Sequence, residues 1–260
     1  MTLAAFTDAG MEGVRLRKKK RIIKGVPRMM GSHEREVYWV FQGLRAEVDP
    51  GQALVLVSRD PVRTSAALRV MAGILPVDTG SVQRPDRSLL LVSPQGRWLR
   101  ELSVEQTIRL LAGTYGLYDD EIEQMVVPVA RMAAVDSMLH LPLADLSRKY
   151  AGQIAFAIAM HAPVPLVMFD HTATLGTAEF RHTCPDRLVA LRDAGKALII
   201  ATDKPKVALQ VGTDAVILRG KRCDPVSVVD AAEFLLRGPG KTRKRPQRNQ
   251  EEDDDEGLDF

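Results

Sequence analysis

QALVLVSRDPVRTSAALRVMAGIL, residues 52–75, divides into three parts with different physics. Residues 52–57 are an apolar, β-branched run of strand length, the pattern of a strand buried on both faces. Residues 58–63 are a polar loop broken by Pro61. Within 64–75, Ala67, Leu68, Val70, Met71, Ile74 and Leu75 recur at helical spacing, and Pro76 and Gly80 close the unit. Strand, loop and helix in this order open a βαβ arrangement.

Outward from this unit the alternation continues. Upstream, 37–48 (VYWVFQGLRAEV) mixes apolar and polar residues and meets the turn Asp49-Pro50-Gly51. Downstream, 88–93 (SLLLVS), 166–170 (LVMFD), 197–202 (ALIIAT) and 215–218 read as strands. Residues 103–118, 119–139, 147–162, 178–194 and 204–211 read as helices between them. Ser103 with Gln106 makes a capping box, Asp119 and Asp120 suit a first turn, Pro163 and Pro165 stop one helix, and Gly195 ends another. Apolar strands alternating with helices define an α/β layered fold. Ligands bind such folds at the carboxyl ends of the strands, which nominates loops 58–65, 93–98, 170–177 and 202–206.

The 260 residues suit one large domain better than two small ones. At 45% apolar and 27% charged, the composition excludes wholesale disorder and collagen. Two cysteines, Cys184 and Cys223, exclude a disulfide scaffold and fit a reducing compartment. No run reaches the ~18 apolar residues of a membrane span, and the first cations follow a weak apolar stretch, the wrong order for a secretory signal. A cytosolic protein is expected. The net charge of +3 hides an uneven distribution. Residues 15–28 carry eight cations (Arg15, Arg17, Lys18, Lys19, Lys20, Arg21, Lys24, Arg28), 241–248 (KTRKRPQR) is basic, and 251–260 (EEDDDEGLDF) is acidic. Like-charge blocks repel. Residues 1–30 and 241–260 are therefore expected as charged tails, flanking a body over 31–224 and a C-terminal helix over 225–240. The basic runs suit anionic lipid or nucleic acid, but no recognised reading module accompanies them, and nucleic acid is not expected. His33, His140, His161 and His182 lack metal spacing.

Several stretches carry a resemblance over roughly residues 37–222: VFQGLRAEVDPGQALVLV (40–57), LRVMAGILPVDTGSV (68–82), Pro94-Gln95 ahead of LSVEQTIRLLAGTYGL (102–117), DLSRKYAGQIAFAIAM (145–160), LVMFDHTATLGTAEFR (166–181), then ALIIATD and TDAVILRGKR. In this order they resemble the nucleotide-binding subunit of an ABC transporter, in particular the capsular-polysaccharide and O-antigen export branch. The resemblance implies a P-loop NTPase-like ABC ATPase core with a helical subdomain over about 97–162. It implies ATP and Mg²⁺ as cofactors and a position on the inner face of the cell membrane. It also implies a transmembrane permease partner, met through the surface around Gln95 and the helices of 103–139. A homodimer or a heterodimer with another ABC ATPase subunit follows from the same resemblance.

It further implies roles for named residues. Ser58, Arg59, Asp60, Pro61, Val62, Arg63, Thr64, Ser65 and Ala66 stand at the phosphate loop. Ser65 and Asp170 stand at the Mg²⁺ ligands, His171 at the catalytic glutamate, Asp203 at the sensor histidine, Gln95 at the loop glutamine, and Ser147 at the signature helix. Here the motifs are eroded. A phosphate loop needs G-x-x-x-x-G-K-[ST], with glycines opening backbone N–H groups to the phosphates and a lysine reaching them. In this sequence every glycine is absent, Pro61 removes a donor, Thr64 takes the lysine position, and Asp60 adds negative charge. Arg59 or Arg63 offers a substitute cation but no backbone cradle. Arg148 and Lys149 replace small signature residues, Gln153 is retained, and Thr177 aligns with a loop aspartate. Tyr38 and Trp39 lie near the position of a base-stacking aromatic. The expectation is an exporter subunit whose ATP hydrolysis is weak or absent. The alternative is a non-catalytic scaffold or regulator binding protein or membrane partners. His171 and Asp203 either exchange roles or share an ordinary structural hydrogen bond.

Overall fold

The computed structural model describes residues 2–18, 33–93, 101–172 and 175–237. Two sheets and a helical arm make up the body. The larger sheet has six strands: β3 (Ala53–Val57), β5 (Ser88–Leu91), β6 (Leu166–Asp170), β7 (Ala197–Ala201), β8 (Asp214–Leu218) and β9 (Cys223–Val226). Their order is β5-β6-β7-β3-β8-β9, all parallel except β9. The smaller sheet is antiparallel, with order β2-β1-β4, from β1 (Ala4–Lys18), β2 (His33–Val48) and β4 (Thr79–Gln83).

The parallel strands are buried on both faces because their side chains alternate between two cores. Leu54, Leu56, Leu166, Met168 and Ile199 meet α1 (Pro61–Met71) and the small sheet through Leu68, Met71, Phe6, Phe41 and Leu44. Val167, Phe169, Leu198 and Ile200 face the other way, onto α4 (Lys149–His161) and α5 (Ala178–Asp193). Phe156 anchors that side, 5.7 Å from the Phe169 ring and 5.6 Å from Phe180, edge-on to the latter. Each buried phenylalanine contributes about 2–3 kcal/mol by area.

The helices of this arm start at their expected caps, and the one expected over 103–118 ends at Thr114. The capping box of Ser103 and Gln106 starts α2 (Val104–Thr114), and Asp119 and Asp120 occupy the first turn of α3 (Asp119–Met132). Val104, Ile108, Val126 and Val129 bury against Ile154 and Ile158 of α4. The expected helix over 119–139 ends at Met132, because Ala134 turns to φ +55° and the Val135 N–H closes back on the Ala130 carbonyl. A 3₁₀ turn over Asp136–Met138 follows. Gly195, at φ +92°, stops α5 as expected. Beyond it lie α6 (Pro205–Val211) and α7 (Val228–Leu236).

Three expectations are corrected. Residues 1–30 are not a tail over their described part, because β1 pairs with β2 along Ala4–Lys18. The strand is legible only with its partner, since the register sets Arg15 opposite Glu36, and opposite charges across a pair stabilise it. Arg15 bonds both carboxylate oxygens of Glu36, each at 3.0 Å. The stretch closing at Pro76 and Gly80 instead leads into β4, where Gly80, at φ +71°, sits in the register shift between the Thr7–Ser81 and Gly10–Thr79 pairs with β1. The C-terminal helix is α7, with residues 225 and 226 belonging to β9; residues 238–260 lie outside the described residues, as do 19–32. No helix among the described residues is long and apolar enough to cross a membrane.

Candidate functional site

The loop after β3 is shorter than expected. Asp60 caps α1, accepting from the Val62 N–H at 3.1 Å, and Pro61 occupies the first helical position, where a missing N–H costs nothing. Ser58 Oγ donates to the Leu218 carbonyl at 2.8 Å and accepts from the Asp60 N–H at 3.2 Å. The Arg63 N–H donates to the Asp60 carbonyl at 3.1 Å. The Val62 and Arg63 N–H groups are thus taken by Asp60, and the Asp60 N–H by Ser58. The two arginines offered as substitute cations turn away from one another. The Arg59 guanidinium lies 4.1 Å over the Phe234 ring and bonds the Phe234 carbonyl. Arg63 donates to the Val40 carbonyl at 2.5 Å, with Asp60 at 3.6 Å.

Behind the loop, the end of β6 meets the first turns of α1. Thr64 is fully buried; its hydroxyl donates to the Pro61 carbonyl at 3.0 Å and lies 3.0 Å from His171 Nε2, which suits an Nε2–H tautomer donating to the hydroxyl. His171 itself stands at φ +54°, held by its N–H on the Ala201 carbonyl at 3.0 Å. Ser65 Oγ donates to Asp170 Oδ1 at 2.5 Å. Arg69, one helical turn on, donates to Asp170 Oδ2 at 3.1 Å and to the Ser65 carbonyl at 3.0 Å. The Asp170 side chain is 8% exposed. Both its oxygens are thus satisfied, and Arg69 supplies the positive charge that a buried carboxylate needs. Sequence reasoning missed Arg69; the signal was a cation four residues after Ser65 on the same helix face. Ala66, next in α1, is buried in the core.

The remaining positions separate. Asp203 pairs with Lys204 at 3.0 Å, both side chains more than half exposed, and among the described residues no hydrogen bond joins it to His171. The ordinary structural His171–Asp203 hydrogen bond is therefore not formed. Ser147 precedes α4, accepting weakly from the Lys149 N–H at 3.5 Å, and Arg148 and Lys149 line a cleft of about 290 Å³ with Arg181. Gln153 is buried and bridges two elements, donating to the Ala133 carbonyl at 2.9 Å and accepting from the Thr177 N–H at 3.0 Å. Thr177 in turn caps α5. Tyr38 and Trp39 are half-buried at the rim of a cleft of about 480 Å³. Gln95 lies outside the described residues. Among the described residues no group of His, Cys, Asp and Glu is arranged to hold a metal.

ATP with Mg²⁺ does not fit these residues in the phosphate-loop pose. The Val62 and Arg63 N–H groups are taken by Asp60, Thr64 is fully buried, and the Asp170 carboxylate is already paired with Arg69.

The architecture nevertheless defines a class: it is the α/β fold of ABC transporter ATP-binding subunits. The solved structure of an ATP-binding subunit of an ABC transporter matches with a TM-score of 0.66 at 18% identity, over 92% of this chain and 95% of that one. In sequence, the teichoic acids export ATP-binding protein TagH of Levilactobacillus brevis is 27% identical over 171 residues, 65% of this chain and 46% of that protein. The polysialic acid transport ATP-binding protein KpsT of Escherichia coli is 22% identical over 184 residues, 71% of this chain and 83% of that protein. The relatives are thus ATP-binding subunits of ABC exporters. This chain spans about half the length of the teichoic acid export relatives it matches. No family model matches the chain.

Proposed function

We propose that this chain is an ATP-binding-cassette-type subunit of a membrane exporter for a cell-surface polysaccharide, and that it does not itself turn over ATP. The export half of the reading is supported by the relatives, whose names specify teichoic acid and polysialic acid transport. One observation carries the silent half: Asp170 and Thr64, at the positions of the metal-supporting aspartate and the phosphate-loop lysine, are closed by Arg69 and His171. A divalent cation at Asp170 would have to displace a guanidinium or sit beside it, and like charges at that distance repel. In this reading the chain docks on the cytosolic side of a transmembrane permease and pairs with a second ABC ATPase subunit, of its own or another kind.

The test is steady-state ATP hydrolysis by the purified chain, alone and with its permease. No turnover above background is expected. A kcat of about 1 s⁻¹ or more, abolished by His171→Ala, overturns the silent reading. Calorimetry with Mg·ATP adds a second readout, where a Kd at or below about 10 μM contradicts the closed loop.

A further inference from the structure

We infer that the cationic cleft between the β1–β2 hairpin and the β8–β9 turn docks this chain's own acidic run, residues 251–256 (EEDDDE). This inference is independent of the export reading. The cleft has a volume of about 480 Å³ and is lined by Arg15, Arg63, Arg219 and Lys221, with Tyr38 and Trp39 as an aromatic wall. Glu36 is a carboxylate among the lining residues and is engaged by Arg15. Asp60 and Asp224 stand behind it, 3.6 Å from Arg63 and 3.0 Å from Arg219. Three of the four lining cations thus have a carboxylate beside them, and Lys221, exposed at the mouth, supplies the positive charge outside those pairs.

The tether is favourable. α7 ends at Leu236, and its Phe234 ring is stacked by Arg219 at 5.1 Å, the same arginine that lines the cleft. The chain thus leaves the body beside the cleft. Fourteen residue steps separate Arg237 from Glu251. Covalent geometry lets fourteen steps reach at most about 45–50 Å. A short tether gives a millimolar effective concentration, enough for a screened contact between opposite charges. The occupant's composition also matches. Leu258 and Phe260 follow the acidic run, and the hairpin exposes an apolar strip at the cleft rim, with Val37 58% and the facing Val14 63% exposed. The basic residues 241–248 are a rival partner for the same carboxylates, so the experiment must read the cleft itself.

Trp39 is the reporter, in full-length protein carrying Trp98→Phe to leave one tryptophan. Its acrylamide quenching is compared between this chain and the same chain with residues 251–256 neutralised (Glu→Gln, Asp→Asn). Neutralisation should raise the quenching constant about two-fold, and 0.5 M NaCl should do the same to the intact run. Lys221→Glu should reproduce the rise with the acidic run unchanged. A synthetic peptide of residues 249–260, in excess, should restore protection to the neutralised chain. Equal quenching in intact and neutralised chains overturns the inference, including the case where 251–256 pairs with 241–248. Protection that grows with protein concentration assigns the contact to a second copy and overturns docking within one chain. No nucleotide enters the assay, so its outcome stands apart from the hydrolysis test.

Discussion

Replacing Arg69 by methionine keeps most of the side-chain stem and removes the guanidinium from Asp170. The carboxylate then keeps the Ser65 hydroxyl, 2.5 Å away, but loses its cation at 3.1 Å. Removing one partner of a fully buried pair costs about 3–5 kcal/mol, whereas exposed pairs are worth about 1 kcal/mol or less. This pair lies between those limits: Asp170 is 8% exposed, but Arg69 is 36% exposed and partly screened by water. The expected loss is about 2 kcal/mol, near 5 °C in Tm for a chain of this size. Urea unfolding should show a lower midpoint with an unchanged slope. Asp170→Asn alone should also destabilise, by leaving Arg69 without its carboxylate. The double variant Arg69→Met/Asp170→Asn should lose less than the sum, with a coupling of about 1–2 kcal/mol. A loss under about 0.5 kcal/mol, or strict additivity, refutes the view that Arg69 serves as the counter-ion of this carboxylate.

Gly80→Ala should cost on the order of 3 kcal/mol, because the new Cβ would lie 2.3 Å from the Thr7 and Asp8 carbonyl oxygens at φ +71°; a thermal melt within 2 °C of the parent would contradict the close approach. At position 171, φ +54° separates two substitutions that both lose the imidazole: His171→Asn should fold about 1–2 kcal/mol more stably than His171→Val, and equal midpoints would remove the backbone argument. Burial pushes the Cys184 thiol up to about 12, the Cys223 thiol to about 11 and the Tyr115 hydroxyl to about 12. Each native group holds its proton where the unfolded chain has released it. This contribution is therefore present below the unfolded values and is lost as pH rises from about 9 to about 12 for Cys184, from about 9 to about 11 for Cys223, and from about 10 to about 12 for Tyr115. For fully buried Cys184 the slope approaches about 1.4 kcal/mol per pH unit, so urea midpoints that stay level from pH 8.5 to 10.5 would refute the assignment. The same thiol should resist iodoacetamide at pH 8 in folded protein and react once urea unfolds it; modification at equal rates in both states counts against its burial.

The α/β architecture was legible because local pattern and environment agree along the parallel strands. LVMF (166–169) and ALIIA (197–201) are apolar throughout, and the structure buries both faces of each. Caps were equally readable, since Ser103, Gln106, Asp119 and Gly195 act on bonds within a few residues. Residues 4–18 were not, because a charged strand with one solvated face differs from a solvated tail only once Glu36 and its neighbours arrive from β2.

The candidate site divides in the same way. That residues 58–65 lack glycine and carry Pro61 was legible in the sequence, since both act through backbone geometry at their own positions. Which partners the side chains of this region take was decided only by folding. Thr64 meets His171 across 107 positions, Ser65 and Arg69 meet Asp170 across 105 and 101, and Asp203 stays apart with Lys204. Such contacts depend on how α1 crosses the ends of β6 and β7. That crossing follows from the summed packing of two cores and is encoded at no single residue.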